Sequence, residues 1–170
     1  IFQLTVLSEA GPEIETASTL LDRTFNDIGY TSLYAFSGGY QVSISPWPEG
    51  LQHILQADRD FTQATATILW TDPYAGHVLS SMLRIVFSQA ILNREAVSIH
   101  ASAVYTDGMG YLFLGKSGTG KSTHAALWTS VFPHCELLND DNPTLRLQDG
   151  QVLVYGTPWS GKTPCYKNRH

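Results

Sequence analysis

Hydrophobic and polar residues alternate over short stretches of the first 75 residues, a period that predicts strands. The clearest case is Tyr-Gln-Val-Ser-Ile at 40–44, which follows a Gly-Gly turn. Residues 65–70 are another strand candidate, and residues 1–7 begin inside what reads as a strand. A short helix is predicted over 19–27. We therefore expect residues 1–75 to form a β-rich N-terminal part.

The pattern changes in the second part of the chain, residues 76–170. From His77 to Asn93 apolar residues recur every three or four positions, which predicts an amphipathic helix. A strand is predicted at 97–104, a second at 111–114, and a helix from Lys121 onward. Further strand candidates lie at 136–139, 144–147 and 152–156. Since the chain stops soon after a glycine loop, we expect 76–170 to be an incomplete domain.

Composition limits the classes of function. With 43% hydrophobic and 15% charged residues among 170, the chain is typical of a soluble globular protein. Its net charge of −5 argues against broad binding to nucleic acid or to an acidic membrane. Since no apolar run is long enough to span a bilayer, we expect no membrane span, and we expect no signal peptide. Cys135 and Cys165, its two cysteines, indicate neither a disulfide framework nor a zinc site, so we expect a cytoplasmic protein.

The strongest chemical signal is the segment Gly115–Ser122, which fits the phosphate-binding pattern G-x-x-x-x-G-K-[ST]. It lies between a predicted strand and a predicted helix, the context that this pattern requires. Lys121 is expected to reach the β- and γ-phosphates of a nucleotide, and the Ser122 hydroxyl to bind Mg²⁺. The other predicted nucleotide-binding residues are Gly115, Ser117, Gly118, Thr119, Gly120 and Thr123. The alternative is a glycine-rich turn that matches by chance.

Two acidic residues, Asp140 and Asp141, follow an apolar strand candidate, and the ends of such strands often carry ligand-binding groups. One carboxylate can hold a metal ion, and its neighbour can accept a proton from an attacking hydroxyl. The alternative is an ordinary turn, because Asn and Asp residues followed by Pro143 favour turns. His100, one strand before the loop, is either a group facing the phosphates or a packed strand histidine.

Together these segments resemble a known family. Ser98–Ala103, Phe113–Ser122 and Leu138–Asp141 are similar, in this order, to the C-terminal domain of bacterial HPr kinase/phosphorylase and to its fold relative, ATP-dependent phosphoenolpyruvate carboxykinase. The resemblance covers about residues 95–162. Residues 156–162 also resemble a further loop of small HPr-kinase-like proteins. The implied fold is α/β: a P-loop kinase core of this type after the β-rich N-terminal part.

The resemblance also implies a division of labour among the candidate residues. Lys121 would contact the phosphates, Ser122 and Asp141 would bind Mg²⁺, and Asp140 would be the catalytic base. His100 would lie at the metal or the γ-phosphate. The expected activity is transfer of the γ-phosphoryl group of ATP to a hydroxyl, with a serine of a protein as the leading acceptor. Members of the family are often homo-oligomers, so self-association is a further expectation.

Two alternatives to the kinase stay open. The first is a carboxykinase-like lyase, which needs a metal-binding lysine some twenty residues before the histidine. Residues 79–84 contain no lysine, which counts against this alternative. HPr kinases usually carry an acidic residue after the serine of the loop, where this chain has Thr123 and His124. The second alternative is a non-catalytic sensor, in which ATP only orders a segment that a partner binds.

Overall fold

A computed structural model describes residues 1–8, 18–163 and 165 of the chain. The chain divides into two compact units, Ile1–Asn93 (unit 1) and Arg94–His170 (unit 2). Among the described residues, no helix is both long enough and apolar enough to cross a membrane.

The described residues of unit 1 form a six-stranded sheet covered by one α-helix. Its sheet order is β1-β6-β5-β4-β3-β2, with β1 parallel to β6 and the other neighbours antiparallel. The elements are β1 Gln3–Leu7, β2 Thr19–Asn26, β3 Gly29–Phe36, β4 Gly39–Ser45, β5 His53–Asp58, β6 Gln63–Thr67 and α1 Ala75–Ala90.

Helix α1 belongs to unit 1 because its apolar stripe completes the core of that unit. Val78, Met82 and Val86 recur every four residues and are buried with Ile44 and Leu55 of the sheet. The sequence placed the domain division at residue 75, before this helix. In the structure the division follows the helix, since a sheet with one apolar face needs a covering layer.

The helix predicted over 19–27 is wrong, because these residues form strand β2. Thr19 to Asn26 pair antiparallel with β3, and every side chain of β2 is exposed. Since neither face of the strand is buried, burial leaves no period-2 pattern that could distinguish it in the sequence. Pairing with β3 decides the conformation, an effect of tertiary context on local preference.

Over residues 94–163, unit 2 consists of two three-stranded sheets and one α-helix. Their orders are β10-β8-β9 and β12-β11-β7, and all four strand pairs are antiparallel. A short 3₁₀ turn at Leu92–Arg94 precedes them. The elements are β7 Ala96–Ser98, β8 Ala101–Thr106, β9 Met109–Leu114, α2 Lys121–Val131, β10 Glu136–Asn139, β11 Thr144–Gln148 and β12 Gln151–Tyr155.

The expected fold class, an α/β P-loop kinase core of the HPr kinase/phosphoenolpyruvate carboxykinase type, is contradicted. Of the described residues 44% are in strands and 19% in helices, in three sheets and two α-helices, so the fold is mostly β. A strand, a glycine loop and a helix do follow one another at 109–131, as predicted. That local arrangement does not require a parallel sheet around it, and here β9 pairs antiparallel with β8.

Candidate nucleotide-binding and catalytic site

The sheet β10-β8-β9 brings the predicted site segments to one edge. Both outer strands run antiparallel to β8, so β9 and β10 end where β8 begins. Leu114, the last residue of β9, pairs with Ala101 at the start of β8, and Asn139 at the end of β10 pairs with Ala103. The ends of β9 and β10 are therefore two strand spacings apart across β8 and offset by two residues along it, a separation of roughly 12 Å. The glycine loop and the double aspartate begin at these two ends.

The glycine loop has a backbone that side chains would strain. Gly118 has φ 81° and Gly120, the residue before α2, has φ 89°, both in the left-handed region that favours glycine. A Cβ at either position would meet no atom within 4 Å, so the space beside them is open. At Gly115 a Cβ would lie 2.7 Å from Thr119 Oγ1. Two glycines therefore serve backbone conformation, and the third serves close packing.

Lys121 folds back over the loop from the first position of α2. Its Nζ donates hydrogen bonds to the carbonyl oxygens of Gly115, at 3.0 Å, and Lys116, at 3.3 Å. Thr119 Oγ1 also donates to the Lys116 carbonyl, at 2.8 Å, which closes the loop on itself. The ammonium thus lies at the rim of the loop, near the positive end of α2. This combination of donors suits an anion such as a polyphosphate.

The remaining predicted loop residues are open to solvent. Ser117 and Thr119 are exposed within the loop, and Ser122 and Thr123 are exposed in the first turn of α2. Their hydroxyls are accessible to a ligand bound over the loop.

Asp140 is held by three hydroxyl-bearing side chains. Ser102 Oγ donates to one carboxylate oxygen at 2.6 Å, and Thr163 Oγ1 donates to the other at 2.9 Å. The backbone N–H of Asp140 donates to Ser160 Oγ at 3.2 Å. Ser102 is completely buried, so its hydroxyl supports the carboxylate from within the sheet. Each carboxylate oxygen keeps a further lone pair with which it can accept a proton.

Asp141 lies beside His100, which is in the short connection between β7 and β8. His100 Nε2 lies 3.6 Å from one carboxylate oxygen of Asp141, and Asn142 Nδ2 donates to the other at 3.0 Å. His100 interrupts the strand predicted at 97–104, since the chain leaves β7 at Ser98 and enters β8 at Ala101. Its side chain is 56% exposed, so it is not a packed strand histidine.

The turn that carries both aspartates is built around Asn139, which is completely buried. Its Oδ1 accepts the N–H groups of Asp141, at 3.0 Å, and Asn142, at 2.7 Å. Its Nδ2 donates to the Thr157 carbonyl at 3.0 Å, and Thr157 Oγ1 donates to the Asn142 carbonyl at 2.8 Å. The Asn and Asp residues that predicted a turn in the sequence therefore do form one, and its hydrogen bonds fix the positions of Asp140 and Asp141.

Sequence reasoning missed four supporting side chains: Ser102, Thr157, Ser160 and Thr163. Three of them belong to the segment 157–163. Thr157 and Ser160 lie within residues 156–162, which were noted only for their resemblance to a loop of HPr-kinase-like proteins, and Thr163 follows directly after that stretch. Gly161 in this segment has φ 57°, and a Cβ there would lie 3.3 Å from the Asp141 Cβ. Small residues and hydroxyls here allow the segment to pass close to both aspartates.

The donor set suits a metal ion that is only partly coordinated by protein. In residues 1–8, 18–163 and 165, no three His, Cys, Asp or Glu side chains converge to form a metal cage. The Ser122 hydroxyl and the Asp141 carboxylate offer hard oxygen ligands instead. Mg²⁺ keeps several waters and takes phosphate oxygens alongside one or two protein oxygens, so these residues fit it.

Comparison with known proteins finds no matching family model and no significantly similar curated protein or solved structure. Inferences about the function of this chain therefore rest on the geometry of the site and on the sequence of its segments.

Proposed function

We propose that this protein transfers the γ-phosphoryl group of ATP to a hydroxyl group. The observation that carries the proposal is the meeting of two segments at one edge of the sheet β10-β8-β9. One is the glycine loop with Lys121, and the other is the pair Asp140 and Asp141. Phosphoryl transfer needs a phosphate cradle, a cation and a carboxylate near the γ-phosphate, and little other chemistry from the protein.

Each residue has one task in the proposed reaction. The loop N–H groups and Lys121 bind the phosphates and stabilise the negative charge that develops on them. Ser122 and Asp141 would hold Mg²⁺, which when bound neutralises charge on the β- and γ-phosphate oxygens. His100, beside Asp141, orients that carboxylate.

Asp140 is the proposed catalytic base. The acceptor oxygen forms a bond to the γ-phosphorus while the bond to the β–γ bridging oxygen breaks, and ADP leaves. The proton of the acceptor hydroxyl passes to Asp140. Hydrogen bonds from Ser102 and Thr163 hold this carboxylate in place during the transfer.

A serine hydroxyl of a protein is the acceptor that we favour. This choice rests on the resemblance of Ser98–Ala103, Phe113–Ser122 and Leu138–Asp141 to the HPr kinase/phosphorylase segments. The net charge of −5 favours protein and metabolite partners over nucleic acid. A cytoplasmic location, where ATP and acceptor proteins are both present, and self-association like that of the family are part of this proposal.

The test follows the label from γ-labelled ATP in the presence of Mg²⁺ and a host-cell extract. We expect a labelled protein band whose phosphate is on serine, and we expect its loss in the Asp140→Asn variant. Asp149→Asn is the matched control, because Asp149 lies in the exposed β11–β12 turn. Label found in a small molecule would support the proposed phosphotransferase activity but would show that the acceptor is a small molecule and not a protein.

Two results would overturn the proposed function. ATP binding without any transfer of label would establish the sensor alternative. Oxaloacetate-dependent formation of ADP would establish the carboxykinase-like lyase.

A further inference from the structure

Unit 1 contains a cavity of about 680 Å³ that the proposed phosphotransferase chemistry does not use. It lies between the β2–β3 turn, the segment after β4 and the first turns of α1. The volume falls within the range of pockets that bind small molecules. We propose that this cavity binds an organic cation with a compact alkylammonium head.

Aromatic rings form the first part of the argument. Trp47 and Tyr74 line the cavity, with ring centroids 4.3 Å apart and planes at 87°. Both residues are partly exposed, Trp47 by 43% and Tyr74 by 41%, so part of their ring surface is open to a ligand. Phe25, 68% exposed, adds a third ring to the wall. The negative faces of such rings attract quaternary and alkylammonium groups.

Charge gives the second part. Asp27 is in the wall, and among the described residues that line the cavity none is Lys or Arg. Residues 1–93 contain three Arg, no Lys and nine Asp or Glu residues, a formal net charge of −6 with neutral histidine. His77 also lines the cavity, but an anionic ligand would find no permanently charged cation here, whereas a cation is favoured both by Asp27 and by the charge of the whole unit.

The third part of the argument is that a buried pair of side chains, Asp72 and His53, fixes the backbone at Tyr74. Asp72 Oδ1 accepts the N–H of Tyr74 at 2.8 Å, and its Oδ2 lies 3.2 Å from His53 Nε2. His53 Nδ1 accepts the N–H of Leu69 at 3.2 Å, so Nε2 carries the proton that is donated to Asp72. Both side chains are almost fully buried. A preorganised wall lowers the entropic cost of binding.

The test uses choline as the probe and 3,3-dimethylbutan-1-ol, its uncharged carbon isostere, as the matched ligand. Isothermal titration of the full chain is expected to show saturable binding of choline and binding of the isostere that is weaker by about tenfold or more. Equal affinity for the two ligands, or no saturable binding of choline, would overturn the proposal. Saturable binding of glucose alone would overturn it in favour of a carbohydrate site.

Variants assign the binding to this cavity. Trp47→Leu and Asp27→Asn are each expected to weaken choline binding about tenfold or more. Trp70→Phe and Asp60→Asn change exposed residues outside the cavity wall and should leave the affinity unchanged. Choline affinity that is unaffected by Trp47→Leu or Asp27→Asn would contradict the assignment. The wild-type comparison of choline with its isostere decides the ligand class even if a variant fails to fold.

Discussion

Ser102 shows how a single buried hydroxyl can direct a charged group at the site. It is completely buried in the central strand β8 and donates a 2.6 Å hydrogen bond to Asp140. Thr163 donates to the other carboxylate oxygen from an exposed position. If Asp140 is the base, its orientation toward the acceptor hydroxyl depends on these two donors, which makes them positioning residues.

We predict that Ser102→Ala lowers kcat on the order of tenfold and leaves the KM for ATP nearly unchanged. A hydrogen bond to a charged group contributes about 1.5–3 kcal/mol, and this one orients the base without touching the nucleotide. Steady-state kinetics with the acceptor identified by labelling would measure both constants. Thr163→Val should act in the same direction, and Thr163→Ser, which keeps the hydroxyl, should retain activity. An unchanged kcat in folded Ser102→Ala would contradict the positioning role.

At the residue scale the sequence identified the groups with distinctive chemistry and missed those that support them. Lys121, Asp140 and Asp141 were visible because glycine-rich loops and paired carboxylates are rare local patterns. Ser102 and Thr163 are common residue types far from Asp140 in the chain, and only the pairing of β8 with β10 brings Ser102 beside it. No local pattern carries that information.

At the scale of elements, the β5–β6 hairpin turn is organised by one carboxylate. Asp58 accepts hydrogen bonds from the N–H groups of Thr62, at 2.7 Å, and Gln63, at 3.1 Å, and from Thr62 Oγ1, at 2.6 Å. Partial burial by itself would raise the pKa of Asp58, but these hydrogen bonds outweigh it and hold the pKa below the ordinary value of 3.8. The ionised form is therefore favoured in the folded state.

This lowered pKa predicts a stability loss in acid. Because the pKa is depressed on folding, ionised Asp58 stabilises the protein above pH 3.8, and the contribution is lost as the pH falls through the lower, folded pKa. We expect Asp58→Asn to cost about 1 kcal/mol or less at pH 7, since solvent screens this turn, and progressively less as the pH falls below 3.8. Urea unfolding at several pH values measures the difference, with Asp60→Asn as control. A difference independent of pH would contradict this account.

The elements themselves were predictable where apolar residues recur with a regular period. The stripe of α1 and the apolar positions Val42 and Ile44 of β4 reflect the core that they share, although Gln41 and Ser43 between them are buried as well. Strand β2 was not predictable, because all of its side chains are exposed and only hydrogen bonds to β3 define it.

At the scale of the whole molecule, the fold class was the part that the sequence did not reveal. A strand, a glycine loop and a helix were inferred correctly at 109–131, but these elements occur here in a mostly β protein. The partner strands of β9 decide whether its sheet is parallel, and their order depends on contacts between residues distant in the chain. The site edge still forms, because β9 and β10 both run antiparallel to the strand between them.

The two cysteines provide a way to measure ATP binding in the whole chain, because both lie in unit 2 and their reactivity reports the stability of that unit. Cys135 and Cys165 are both buried in unit 2, and residues 1–93 contain no cysteine. Burial, together with the negative charge of Asp107, raises the pKa of the Cys135 thiol. The thiol is therefore protonated and shielded in the folded protein, and alkylation requires unit 2 to open.

We predict that ATP with Mg²⁺, at 100 times its Kd, slows alkylation of these thiols in mild denaturant about a hundredfold. A ligand that binds only the folded state at this excess stabilises it by about 2.7 kcal/mol. Mass spectrometry of iodoacetamide-labelled protein gives the rates. In Lys121→Ala the rate should hardly change when ATP is added, and Arg146→Ala controls for the loss of an exposed cationic side chain. If ATP protected Lys121→Ala and the wild type equally, ATP binding would not depend on Lys121 of the glycine loop. This conclusion would hold whether or not the protein transfers phosphate.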